Sequence, residues 1–215
     1  MDSSAILRHV DHTQLQPTCT WAEIETLCDE AVCYKTASVC IPPCYVKRAR
    51  ATHPDLTVCT VIGFPLGYTP TAAKLGEIAG ALADGADEID MVVNLTDVKN
   101  AHWEAITEEI AAAKRVCGSR ILKVIVETCY LTTEELITLC GCVTDGGADF
   151  IKTSTGFGTG GATMEDVLVM KAHIGPGVRI KASGGIRTRA DMEAYLEAGC
   201  DRLGCSSAVK VLAPE

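Results

Sequence analysis

The fold class this sequence predicts is α/β, a single-domain (β/α)8 TIM barrel spanning residues 1–215, and three observations predict it. Eight short apolar runs alternate with amphipathic stretches along the whole chain. The runs read as continuously apolar, the pattern of strands buried on both faces of a parallel sheet. The polar and ionisable residues that interrupt them fall at or just beyond their C-terminal ends: Asp11 and Thr13, Cys40, Asp90 and Asn94, Glu127 and Thr128, Lys152 and Thr153, Lys181 and Ser183, and Ser206. Barrels of this kind build their sites on that side, whereas an open doubly wound sheet gathers them at one switch point.

Taken in order, the first strand is expected within 7–11 (LRHVD), followed by a helix over 20–34 that Thr20 and Glu23 open at capping-box spacing. Strand two lies in 36–41 (TASVCI) and its helix in 44–52; strand three lies in 57–63 (TVCTVIG) and its helix in 71–84. Strand four (88–94, EIDMVVN) is followed by one helix over 97–117, and strand five (121–128, ILKVIVET) by a helix over 132–145 with Thr132 and Glu135 as its capping pair. Strands six (149–155, DFIKTST), seven (178–183, VRIKAS) and eight (202–205, RLGC) alternate with helices over 164–173, 188–198 and from 206. Gly85, Gly147 and Gly199, each just before a strand, mark helix ends.

With 215 residues, 47% of them hydrophobic and only 5% aromatic, the chain is long enough for one sizeable core. No apolar run approaches the roughly 20 residues of a membrane span, and the start MDSSAILRHVDH has an acid at Asp2 and no basic segment of a secretory leader, so a cytoplasmic location is expected. Twelve cysteines contain no C-x-x-C pair, and five histidines (His9, His12, His53, His102, His173) show no i, i+4 pairing. These spacings favour free thiols over a disulfide scaffold, with no metal and no cofactor. A net charge of −9 argues against nucleic acid and membrane partners, and requires a local positive site for any anionic substrate. The glycines at 156–161 lack the strand, helix and distant acid of a dinucleotide fingerprint. The oligomeric state is left open, a homodimer included.

Three strands carry a lysine after an aliphatic residue: Lys123, Lys152 and Lys181. A single such lysine ordinarily snorkels its head out of a strand end. Two on the neighbouring sixth and seventh strands suggest more. At ~5 Å and an effective dielectric of ~20 their repulsion is roughly 3 kcal/mol, about 2 pK units, and desolvation acts in the same direction. A lysine so perturbed becomes an imine-forming nucleophile. The stretches ASGGIRT (182–188) and GCSSAV (204–209) supply glycines and a helix start at the loops after strands seven and eight, where such barrels bind phosphate.

Across nearly the whole chain the sequence resembles the deoxyribose-phosphate aldolases, class I (lysine-dependent, metal-free) aldolases of deoxynucleoside catabolism. The segments that carry the resemblance are DHTQL, ASVCIPP, VIGFPLGYTPTAAKLGE, GADEIDMVVN, LKVIVET, GADFIKTSTGF, IKASGGIRT and LGCSSAV, of which KTSTG followed by KASGGIR is the most specific. It implies that Lys152 forms the Schiff base, that Lys181 lowers its pKa, and that Asp90 works with Lys181 and a water in proton transfer. It further implies that Gly184, Gly185, Ser206 and Ser207 hold a 5-phosphate, and that Asp11, Thr13, Cys40 and Thr153 line the pocket, the partners being phosphosugar and aldehyde substrates. The chain departs from the pattern at Phe157, where some relatives carry a lysine, and at Cys205, where a small or hydroxylated residue is usual. It also ends VLAPE, without the tyrosine tail that some members use. Weaker phosphate affinity and slower enamine protonation are the corresponding expectations. A different phosphosugar aldolase or isomerase, or a silent phosphosugar-binding barrel, are the alternatives.

Overall fold

The structure, a computed structural model, describes residues 1–213. The C-terminal Pro214 and Glu215, and with them the expectation drawn from the chain's last residues, lie outside the described part. In chain order the elements are α1 (Ser3–Leu7), β1 (Val10–Thr13), α2 (Trp21–Tyr34), β2 (Ser38–Ile41), a 3-10 turn (Pro43–Tyr45), α3 (Val46–Thr52), β3 (Val58–Ile62), α4 (Thr71–Ala83), β4 (Glu88–Val92), α5 (Leu95–Lys99) and α6 (Trp103–Cys117). They continue with β5 (Ile121–Ile125), a 3-10 turn (Thr128–Tyr130), α7 (Thr133–Asp145), β6 (Phe150–Lys152), α8 (Met164–His173), β7 (Arg179–Ser183), α9 (Arg189–Ala198), β8 (Arg202–Cys205) and α10 (Ala208–Leu212). The strands pair in sequence, all parallel, and β8 closes on β1. This is the expected (β/α)8 barrel.

Local chemistry sets the boundaries. The hydroxyls of Thr20 and Thr132 accept from the backbone N–H of Glu23 and Glu135, whose carboxylates reach back to the cap residues, as their spacing predicts. A third capping box, Thr188 with Asp191, opens α9. Gly85, Gly147 and Gly199 have φ of +104°, +75° and +107°, a region costly for residues with a Cβ.

Two elements differ from expectation. Residues 7–11 are not one strand: Leu7 closes α1, which Asp2 caps, and β1 begins at Val10. The helix expected over 97–117 is two, because Ala101 takes φ +55° and breaks the ladder between α5 and α6. No glycine or proline marks that break in the sequence.

The premise of continuously apolar strands also needs correction. Ile89, Met91, Leu122, Val124, Ile151, Ile180, Ala182 and Leu203 join the large core cluster with helix residues such as Ile110, Leu139 and Met192, between sheet and helices. The alternate positions, including Glu88, Asp90, Lys123, Lys152, Lys181 and Arg202, interact with one another across the barrel. Strands are thus buried on both faces, but much of the inner face is occupied by ion pairs, with Val92, Ile125 and Phe150 buried beside them. Among the described residues Cys40, Cys59 and Val61, with Leu15 and Phe64 against them, form a small separate apolar group. Among the described residues no helix is long and apolar enough to cross a membrane.

Candidate active site

Register brings the polar residues together. Lys152 of β6 lies opposite Lys181 of β7, Asp90 of β4 opposite Lys123 of β5, and Cys40 of β2 opposite Cys59 of β3. Their side chains converge on Asp90. Its Oδ2 accepts from Lys152 Nζ at 2.8 Å and from Lys181 Nζ at 2.7 Å, and its Oδ1 accepts from Lys123 Nζ at 2.9 Å and Cys59 Sγ at 3.2 Å. Below this layer Asp11 accepts from Lys181, Arg202 and Ser38 Oγ, the last at 2.7 Å. Lys123 and Arg202 also pair with Glu88.

The electrostatics follow from burial and pairing. Burial alone would raise the carboxyl of Asp90, but the ammonium groups of Lys123, Lys152 and Lys181 outweigh it and hold the group well below the usual carboxylate range. Asp11 is likewise lowered, with Lys181, Lys123 and Arg202 overcoming desolvation. For Lys181 burial acts downward, yet Asp11 and Asp90 more than compensate and its ammonium is stabilised above the usual lysine range. Lys123 is raised as well, against burial, by Asp90, Cys59, Asp11 and Glu88. The sequence-based repulsion counted two cations without these carboxylates, so roughly 3 kcal/mol is an upper bound.

Above the layer opens a cavity of about 710 Å³, a size suited to a small ligand. Lys152 lies in its wall, with Thr13 to Gln16 at the end of β1 and beyond, Thr155 to Phe157 after β6, Ser183 to Arg187 at the end of β7 and beyond, and Gly204 to Ser207 at the end of β8 and beyond. Thr13, Gly184, Gly185, Ser206 and Ser207 are therefore brought to one cavity with Lys152. The backbone N–H groups of Gly184, Gly185, Ser206 and Ser207 have no backbone acceptor among the described residues. Asp11, Asp90, Cys40, Thr153 and Lys181 are fully buried behind the wall rather than in it. Thr153 ties β6 to β7, its hydroxyl donating to Ser183 O at 3.1 Å and accepting from Ser183 N at 3.0 Å. Cys40 is lowered by a hydrogen bond with Cys59, against burial.

Glycines make this packing feasible. A Cβ on Gly161 would sit 2.3 Å from Gly184 O, where the loops after β6 and β7 touch, and one on Gly204 would meet Ser183 Cβ at 2.8 Å and Lys181 Cε at 3.2 Å. Gly204 thus leaves room for the Lys181 stem. Phe157, 43% exposed, packs edge-on against Phe64 with ring centroids 5.3 Å apart. Cys205 is buried, donating to Ile186 O at 3.2 Å with Ser207 Oγ 3.5 Å away, so it joins the loops after β7 and β8.

Sequence reasoning missed Glu88, Arg202 and Cys59 as parts of this arrangement, and gave no role to Glu127, which it placed at a strand's C-terminal end, or to Lys123, which it noted only as a strand lysine. Glu127 sits at φ +53° with its carboxylate buried, accepting from Thr155 N at 3.1 Å and from the Thr155 hydroxyl. Burial raises it despite those bonds. The available signal was the alternation of charge with aliphatic residues in EIDMV and ILKVI. Cys40, Cys59 and Asp90 offer ligand-type atoms within 4.8 Å of one another, as do Asp11, Cys59 and Glu88. The carboxylates in each set are already satisfied by ammonium or guanidinium groups, a poor setting for a further cation.

Residues 5–204 match the model of the DeoC/LacD family aldolases. The chain is 57% identical over its whole length to a deoxyribose-phosphate aldolase of Clostridium botulinum, covering 98% of that protein, and 56% identical to one of Streptococcus pyogenes, covering 97%. Among solved structures it resembles the deoxyribose phosphate aldolase of Aeropyrum pernix, described as having a unique tetrameric structure, with a TM-score of 0.90 and 33% identity, covering 98% of this chain and 91% of that one. A barrel interior of lysines paired with carboxylates beneath an open cavity and a match along almost the whole chain agree, and the protein belongs to the DeoC/LacD family of aldolases.

Proposed function

We propose that the protein is a lyase that reversibly cleaves 2-deoxy-D-ribose 5-phosphate to D-glyceraldehyde 3-phosphate and acetaldehyde through an imine on Lys152. The observation that carries this reading is the sharing of Asp90 Oδ2 by Lys152, at 2.8 Å in the cavity wall, and Lys181, at 2.7 Å behind it. Two ammonium groups on one oxygen repel. Lys181 is held also by Asp11 and lies behind the wall, whereas the Lys152 amine lies in the wall, where it can meet a carbonyl.

In this account the Lys152 amine attacks C1 of the open-chain sugar and water departs. The C2–C3 bond then breaks, because an imine at C1 takes up electrons from the bond between its α and β carbons, and acetaldehyde has two carbons. The C3 hydroxyl proton leaves, C3 becomes the aldehyde of glyceraldehyde 3-phosphate, and the electron pair moves into the C1–C2 enamine. Protonation at C2 and hydrolysis return the amine and release acetaldehyde. Asp90, Lys181 and a water relay the protons. Because its lysines keep Asp90 anionic, its larger contribution is to stabilise the iminium charge. The unpaired amides of Gly184, Gly185, Ser206 and Ser207 are suited to the phosphate.

The proposal includes a cytoplasmic location, supported by twelve cysteines that are all free thiols. It is tested by supplying 2-deoxyribose 5-phosphate and following glyceraldehyde 3-phosphate. Cleavage is expected; reaction with ketose phosphates and none with deoxyribose 5-phosphate would assign the site to another phosphosugar enzyme.

A further inference from the structure

The cavity wall is more cationic than the chain as a whole. In a protein of net charge −9 its lining holds Lys152, Arg187 and Lys210 and, among the described residues, no carboxylate. The loop after β6 brings no cation there, only Thr155, Gly156 and Phe157, with Phe157 turned onto Phe64. Lys210 comes instead from the last helix. It is exposed, makes no ion pair among the described residues, and follows Ser207 by three positions. Residues so spaced share a helix face, and a helical side chain leans toward the N-terminal end of its helix. Lys210 thus lines the same cavity as Ser206 and Ser207, one helical turn beyond them, where the open amides lie.

We propose that Lys210 is a substrate-binding residue that contributes a positive charge to recognition of the phosphate, on the opposite rim from Phe157. This rests on the reading of the cavity as a phosphosugar site and identifies which charge selects the phosphorylated substrate. The site therefore need not lose phosphate preference through Phe157. An exposed ammonium near a phosphate dianion is screened by water and salt, and the expected contribution is about tenfold, diminishing as ionic strength rises.

The test compares kcat/KM for 2-deoxyribose 5-phosphate and for unphosphorylated 2-deoxyribose in wild type, Lys210→Gln and Lys210→Arg. The ratio between the two sugars is expected to fall about tenfold in Lys210→Gln, through KM, and to return largely in Lys210→Arg. A merely structural role lowers both substrates together; an unchanged ratio overturns the proposal. Calorimetric titration with inorganic phosphate separates this inference from the function it rests on. If wild type cleaves neither sugar, the proposed function fails, and weaker phosphate binding by Lys210→Gln still upholds the residue's role. Equal phosphate binding by wild type and Lys210→Gln refutes it.

Discussion

Replacing Lys181 by leucine removes a cation while keeping most of its volume, and it separates the two lysines that the sequence makes look alike. Lys181 Nζ lies 2.7 Å from the Asp90 oxygen that Lys152 approaches at 2.8 Å. At ~5 Å and an effective dielectric of ~20, two such ammonium groups repel by at most about 3 kcal/mol. Asp11, on the other side of Lys181, offsets part of that. Borohydride trapping of acetaldehyde at pH 7 is therefore expected to slow by about 10- to 100-fold in Lys181→Leu. Asp11 keeps Arg202 as a partner and Lys123 at 3.6 Å, so the barrel is expected to remain folded, which circular dichroism checks. Lys152→Leu removes the nucleophile, and no pH should restore trapping. Wild-type trapping rates in Lys181→Leu at pH 7, or any trapping in Lys152→Leu, would refute the assigned roles.

Stability should fall in acid: the folded-state carboxyls of Asp11 and Asp90 lie below their usual value near 3.8, so their contribution is present above about pH 4 and is lost as pH falls through the lower folded values. Lys123 and Lys181 are raised, so their contribution holds below about pH 10.4 and is lost above it; urea midpoints across pH would show a plateau between these limits, and a midpoint that rises in acid contradicts it. Glu127→Ala leaves the buried Thr155 N–H without its acceptor and should cost about 1–3 kcal/mol, with a smaller loss in Glu127→Gln; equal losses would mean the hydrogen bond is not the cause. Thr132→Ala removes a helix cap and should cost about 1 kcal/mol by denaturant titration, without changing kcat/KM. Chelators should leave activity unchanged, whereas inactivation by EDTA that zinc reverses would contradict a lysine-based mechanism without metal.

The barrel was legible because eight apolar runs alternate with helical stretches whose caps are spelled out by Thr20 with Glu23 and Thr132 with Glu135. Lys152 and Lys181 stood out because they lie on the neighbouring sixth and seventh strands. Lys123 sits in the middle of its strand and resembled a snorkelling lysine, yet it is fully buried, because the inner face of a closed barrel offers it Asp90 and Glu88. The pairing of Lys181 with Asp11 spans 170 residues and depends on β8 closing onto β1, which local pattern does not encode. Lys74 illustrates the same limit on a helix: it is buried, donating to Val92 O at 2.9 Å and pairing with Glu109 at 2.8 Å, partners that only the packing of α4 against α6 brings together. The break at Ala101 and the left-handed Glu127 carry no glycine to announce them.

The central claim is that Lys152, among three lysines gathered around one carboxylate, is the one that forms the imine. The most direct measurement is peptide mapping by mass spectrometry after acetaldehyde and borohydride. The account predicts a single ethyl group on Lys152, the lysine in the cavity wall, with Lys123 and Lys181, both fully buried, unmodified. An ethyl group on Lys123 or Lys181, or none on Lys152, would contradict it.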